Sequence, residues 1–190
     1  MGKNLAVLAS GNGSNAENLI RYFRCRESAE VKLVLTNRAE AYALTRAHHL
    51  NVPSRFIDRH AWEEGTPVLA LLQDYQIDFI VLAGFLARIP NVILQAYPDR
   101  IVNIHPSLLP KFGGKGMYGD RVHQAVIAAG EAESGISIHF LNERYDEGRM
   151  IAQYRCAVES TDTPETLAAK VHTLEYTYYP QVIEQLLQRC

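Results

Sequence analysis

The chain of 190 residues is predicted to be an α/β protein, a doubly wound, mostly parallel sheet with helices on both faces and an antiparallel pair towards the C-terminal edge. Three observations carry that prediction. A short, continuous apolar run at residues 5–9 has the pattern of a strand buried on both faces, residues 77–82 give the strongest strand signal in the chain, and helical stretches alternate with these runs. A glycine-rich turn at residues 10–15 joins the first such run to the first helix. In the second half, extended runs at residues 136–140 and 150–158 flank Asp146, Glu147 and Gly148, as an antiparallel pair joined by a polar connection would.

The elements follow in order. After the strand at 5–9, residues 16–23 form a helix with Leu19, Ile20 and Phe23 on one side. A strand at 31–36, a helix at 41–50 and a weak strand at 55–57 come next. Pro67 opens a further helix whose apolar face holds Val68, Leu71, Leu72 and Tyr75. The strand at 77–82 ends at Ala83 and Gly84. A short helix at 92–97 then leads to a strand at 101–105. Thr163 caps a last helix, with Pro164 in its first position, that runs to about residue 187 and is expected to kink or restart at Pro180. No repeat or linker interrupts the pattern, so residues 1–190 are expected to form a single domain. Ligands of such sheets lie beyond the carboxyl ends of strands. Here those ends are the loops at 10–15, 84–90 and 105–119, which are predicted to share one rim.

Composition narrows the function. A hydrophobic content of 47% with 21% charged residues suits a globular protein with a real core. A net charge of −2 argues against a nucleic-acid surface, but backbone amides can still bind an anionic small molecule. Cys25, Cys156 and Cys190 form no metal-ligand spacing and suit free thiols in a reducing cytosol. No histidine pair has metal-ligand spacing, so no metal is expected. The N-terminus lacks a basic region followed by a long apolar segment, so no signal peptide is expected, and Ala6 spoils a myristoylation motif at Gly2. No apolar run spans a membrane. The expected setting is cytoplasmic, without membrane or nucleic-acid partners, as a monomer or homodimer.

The most informative stretch runs from Asn103 through His105 and Pro106 to Pro110. Alternate side chains of a strand share a face, so Asn103 and His105 point the same way. Pro106 has no N–H to extend the ladder, which puts the pair at a strand end beside a loop. A donor amide and a titratable ring aimed at one spot suit chemistry at an acyl or formyl carbon; the other reading is a satisfied core pair.

Gly11, Asn12, Gly13, Ser14 and Asn15 follow a strand and open a helix, the arrangement in which free N–H groups and the helix dipole favour an anion. The pattern also fits a dinucleotide fingerprint, which requires an acid roughly twenty residues on, and residues 36–39 offer none. A single terminal phosphate fits better, with the Ser14 and Asn15 side chains adding donors. A plain tight turn is the alternative.

Taken together, these segments resemble the phosphoribosylglycinamide formyltransferase family of folate-dependent enzymes. The matching residues are 10–15, 81–85, 103–110, 133–139 and 146–148, in the family's order and nearly its spacing. The resemblance covers essentially the whole chain. It implies transfer of a formyl group from 10-formyltetrahydrofolate, a cosubstrate, to the glycyl amine of 5′-phosphoribosylglycinamide in purine synthesis. It implies catalytic roles for Asn103, His105 and Asp146, and acceptor binding by Gly11, Asn12, Gly13, Ser14, Asn15, Pro106 and Glu175. Leu86, Ile89, Asn142, Glu143 and Tyr145 would surround the folate.

The chain departs from the family pattern in several places. Ala87 stands where the family usually carries arginine, with Arg88 one residue later. Residues 111–119 are unusually rich in glycine and suit a mobile lid. His172 takes a position that is often Gln. His139 shares a strand face with Ser137 and is either a support for the site or structural, whereas His48, His49, His60 and His123 are expected to face solvent. The rivals are formyl transfer to another acceptor, hydrolysis of the folate, and a non-catalytic nucleotide-binding module. The last leaves Asn103, His105 and Asp146 unexplained.

Overall fold

The computed structural model describes residues 2–142 and 146–188. The chain divides into two compact units, Met1–Val102 with Ile183–Cys190, and Asn103–Val182.

The first unit carries β1 (Lys3–Leu8), α1 (Ser14–Arg24), β2 (Ala29–Thr36), α2 (Tyr42–His49), β3 (Ser54–Phe56), α3 (Arg59–Glu64), α4 (Thr66–Asp74), β4 (Phe79–Leu82) and α5 (Asn91–Ala96). Its strands lie in the order β3-β2-β1-β4, each neighbouring pair parallel. The chain winds outward from β1 to β3 and then returns to the other side of β1 as β4. The reversal between β1 and β4 makes the unit doubly wound and opens a crevice beyond their carboxyl ends. Leu5, Ala6, Val7, Ile80 and Val81 are fully buried, which explains runs without polar alternation.

Helix α3 was not expected from the sequence. Asp58 caps it by accepting the Ala61 N–H at 2.9 Å, and Gly65 (φ 75°) ends it and opens α4. Six residues with only Trp62 buried are too few to show a helical period.

The second unit takes up the chain within β5 (Ile101–His105) and continues with α6 (Asp120–Ala128), β6 (Glu133–Phe140), β7 (Met150–Ala157) and most of α7 (Pro164–Leu187). β6 and β7 are antiparallel, with Glu133 opposite Ala157 and His139 opposite Met150. The antiparallel C-terminal pair is as expected, although β6 starts three residues before residue 136. From Ser134 on β6 is buried along its length, so both faces are covered and it lacks the alternation of a half-exposed strand. β7 is only partly covered.

Helix α6 was also not expected. Val122, His123 and Val126 form its buried side, a pattern hidden behind the glycine-rich run before it. α7 does not restart at Pro180. It continues through residue 187, with Tyr179, Val182 and Ile183 buried around the proline, and that packing offsets the missing backbone hydrogen bond.

Candidate active site

In the second unit β5 ends in Asn103 and His105, as the sequence indicates, and His105 is 4% exposed. β6 supplies fully buried His139, and the β6–β7 connection supplies Asp146. Gly148 explains why that connection lies so close: a Cβ there would fall 1.6 Å from the Phe140 carbonyl oxygen, so only glycine allows the approach. Asp146 itself has φ 54°. Its Oδ2 is 3.6 Å from His105 Nδ1, and its Oδ1 is 3.6 Å from His139 Nε2. The Asn103 side-chain nitrogen lies 3.2 Å from His139 Nε2. An amide, two imidazoles and a carboxylate thus meet, although 43 positions separate Asn103 from Asp146 in the sequence.

Protonation follows from the surroundings. Burial pushes the His105 imidazole below its ordinary value, and the Asp146 charge and the Phe112 carbonyl offset this only in part. His105 Nε2–H donates to the Phe112 carbonyl at 2.7 Å. Burial alone would raise the Asp146 carboxyl. The His139 ring, the Gly114 N–H at 2.9 Å and the positive charge of a protonated His105 outweigh it and hold the group below the usual carboxylate range. His139 Nδ1 lies 3.0 Å from the Phe140 carbonyl oxygen, and its Nε2 faces both the Asn103 amide and Asp146.

Backbone groups of the glycine-rich segment therefore reach both titratable residues, Phe112 at His105 and Gly114 at Asp146. The sequence does not reveal these contacts, because they are made by main-chain atoms. The turn after His105 is pinned by fully buried Ser137. Its hydroxyl donates to the Ser107 carbonyl at 2.6 Å and accepts from the Leu109 N–H at 2.9 Å and from the Gln153 side chain at 2.8 Å. Pro106 is half-buried at the start of this turn.

Glu175 lies on α7, 5% exposed, with Oε2 2.9 Å from His172 Nδ1. His48, His49 and His60 are exposed, as expected. His123 is not: it is 2% exposed, on the inner side of α6. Asn142 is exposed, and its side chain donates to the Glu147 carbonyl at 3.3 Å. Glu143 and Tyr145 lie outside the described residues.

In the first unit, Gly13 (φ 75°) caps α1, and a Cβ on it would come within 2.6 Å of the Ala43 backbone. The glycine thus lets the turn lie against α2, where the Ala43 N–H donates to the Gly11 carbonyl at 3.2 Å. Arg46 reaches across and donates to the Asn12 carbonyl at 2.9 Å and the Asn12 side-chain oxygen at 2.8 Å. Ser14 and Asn15 open α1, whose dipole and free N–H groups favour an anion. At the strand reversal, the Ser10 N–H donates to the Gly84 carbonyl at 3.0 Å and the Leu86 N–H to Ser10 Oγ at 2.9 Å. Leu86 is 38% exposed, whereas Ile89 is buried and lines a cleft of about 800 Å³ with Asn37, Arg38, Arg59 and Trp62. Among the described residues no cluster of three or more His, Cys, Asp or Glu could hold a metal, and no helix is long and apolar enough to cross a membrane.

A family model described as "Formyl transferase" matches residues 3–183. Over 95% of the chain, the sequence is 40% identical to an Arabidopsis thaliana protein named "Phosphoribosylglycinamide formyltransferase, chloroplastic". A Bacillus subtilis protein named "Phosphoribosylglycinamide formyltransferase" is 37% identical, with 97% of this chain and 95% of that one covered. The chain spans just under two thirds of the plant relatives, 64% of the Arabidopsis protein and 61% of one from Vigna unguiculata. Among solved structures, a phosphoribosylglycinamide formyltransferase from Bacillus halodurans superposes with a TM-score of 0.89 at 35% identity, covering 97% of this chain and 95% of that one. One from Anaplasma phagocytophilum gives 0.90 at 30% identity, covering 100% and 89%.

Proposed function

The chain belongs to the formyl transferase family, and on that premise we propose that it transfers the formyl group of 10-formyltetrahydrofolate to the glycyl amine of 5′-phosphoribosylglycinamide, a step of purine synthesis. The observation that carries this reading is Asp146 standing 3.6 Å from both His105 and His139, with the Asn103 amide on His139. Attack by the amine turns the formyl carbonyl into a tetrahedral centre bearing negative charge. Asn103 donates a hydrogen bond to that oxygen, and His105 does so when its N–H turns from Phe112 to the substrate. Asp146 stays ionised beside His105, orients the ring, accepts the proton the amine loses, directly or through water, and gives it to the folate nitrogen as the bond from that nitrogen to the formyl carbon breaks.

The acceptor's phosphate is assigned to Gly11, Asn12, Gly13, Ser14 and Asn15, its amine to Glu175, and a flanking contact to Pro106. Leu86, Ile89, Asn142, Glu143 and Tyr145 are assigned to the folate. The residues are proposed to act as one formyl-transfer domain, 1–190, in a cytoplasmic monomer or homodimer with small-molecule substrates and no nucleic-acid partner. Purified protein mixed with the acceptor and 10-formyltetrahydrofolate is expected to release tetrahydrofolate only when both are present. Release that does not need the acceptor identifies a hydrolase instead, and no release leaves a binding module.

A further inference from the structure

Glu175 and His172 occupy one face of α7, three residues apart, and differ sharply in exposure. The Glu175 side chain is 7% exposed and that of His172 is 50% exposed, while Oε2 and Nδ1 are 2.9 Å apart. A buried carboxylate next to a half-exposed imidazole connects the interior with solvent through one hydrogen bond. Neither group serves the chemistry assigned to Asn103, His105 and Asp146.

The pair meets a difficulty in the proposed reaction. A carboxylate that holds the acceptor's amine also favours its ammonium form, which has no electron pair to attack with. A partner that can take a proton from that carboxylate removes the difficulty. We propose that His172 is a positioning residue that acts through Glu175 as the proton outlet for the acceptor amine; this rests on the reading that Glu175 receives that amine. One N–H bond of the ammonium breaks and its proton passes to the Glu175 carboxylate. His172 takes part as the neutral ring with its proton on Nε2, so that the O–H bond at Oε2 breaks as an N–H bond forms at Nδ1, and exchange with water returns the ring to that tautomer after each release. The imidazolium releases its Nε2 proton to water, and the amine nitrogen keeps the electron pair that it places on the formyl carbon. Loss of the ammonium proton before attack is thereby separated from formyl activation and from loss of the second proton after attack, which fall to Asn103, His105 and Asp146.

The surroundings suit this division. The hydrogen bond to Glu175 raises the His172 imidazole above its ordinary value, burial opposes it, and the charges of Glu175 and of Asp120 on α6 add to the rise. Tyr176 stacks beside the ring with centroids 6.1 Å apart. His123 on α6 feels the same charges, but burial holds its imidazole below the ordinary value, so it does not compete for the proton near neutral pH. Tyr179, fully buried one turn beyond Glu175, has its phenol pushed well above the ordinary value by burial and by the Glu175 charge, and it stays neutral. His105 also senses Glu175, though only weakly. His172 is in contact with Glu175 and open to water.

The test measures acceptor-dependent kcat/KM from pH 5.5 to 9 for the wild type, His172→Gln and His172→Ala, with the folate KM alongside. Glutamine can hold the carboxylate but cannot carry a proton. His172→Gln is therefore expected to keep the acceptor KM within about twofold and to lose about tenfold in kcat near pH 7, less than a directly acting base supplies. The loss should shrink to about twofold at pH 9, where the free amine is already deprotonated. His172→Ala should raise the acceptor KM as well. A profile for His172→Gln parallel to the wild type overturns the relay while leaving the formyl-transfer reading in place. Wild-type protein without acceptor-dependent release at any pH overturns that reading, and the relay with it. Independently of turnover, the His172 imidazole followed by NMR in the intact protein should titrate lower in Glu175→Gln; an unchanged titration overturns the pairing.

Discussion

The turn at Gly11–Asn15 and the cluster around Asp146 are candidate sites of opposite construction. The first is made by backbone over a few consecutive residues, from a strand end, a positive-φ glycine and a helix start. The second is made by side chains from β5, β6 and the connection after β6, and its members touch only because the strands take one register. Backbone sites tolerate changes of side chain but not of glycine. Side-chain sites fail when any member changes, and they depend on supports that have no chemistry of their own.

The largest effect should follow from removing a member of the side-chain cluster. His105→Ala and Asp146→Asn are each expected to lower turnover by at least about a hundredfold, the scale of a lost acid–base group. Steady-state kinetics with both substrates checks this, and near-normal turnover in both variants would remove them from the mechanism. Next comes the backbone site. Gly13→Ala places a methyl 2.6 Å from Ala43 at a left-handed φ and should cost about 1–3 kcal/mol of stability by denaturant unfolding. It should also raise the acceptor KM more than the folate KM; an equal rise in both would detach the turn from the acceptor.

The supports come third. Ser137→Ala leaves the Leu109 N–H and the Ser107 carbonyl without their buried partner, and should cost about 1–3 kcal/mol. Because that turn carries His105, kcat should fall with little change in either KM. Unchanged stability would mean that water replaces the hydroxyl.

The smallest effect separates the histidines by sign. His105 and His123 are held below 6.5 by burial, so the folded state resists their protonation, and stability is full above pH 6.5 and lost as pH falls towards their folded values. His172 is held above 6.5 by Glu175. Its contribution is full below pH 6.5 and lost as pH rises through the raised value. Melting temperatures between pH 5 and 8 should therefore fall less on the acid side for His123→Gln, and less on the alkaline side for His172→Gln, than for the wild type. Identical shifts in both variants would show that the two rings do not differ in this way.

The sequence by itself determined much of this protein. The strands of the first unit, the glycine turn and the end of β5 at His105 follow from local rules of burial, turn chemistry and the missing N–H of proline, and each is written within about ten consecutive residues. The antiparallel pair was legible too, although the start of β6 was not, because burial on both faces erased its alternation. Only the tertiary structure decided that Asp146 stands between His105 and His139, that His123 turns inward, and that Phe112 and Gly114 place main-chain groups on His105 and Asp146. The physical reason is range. Local patterns fix which residues form a strand or turn, whereas the distance between side chains far apart in the chain depends on strand register and on glycines such as Gly148, whose need appears only once its neighbour across the sheet is in place.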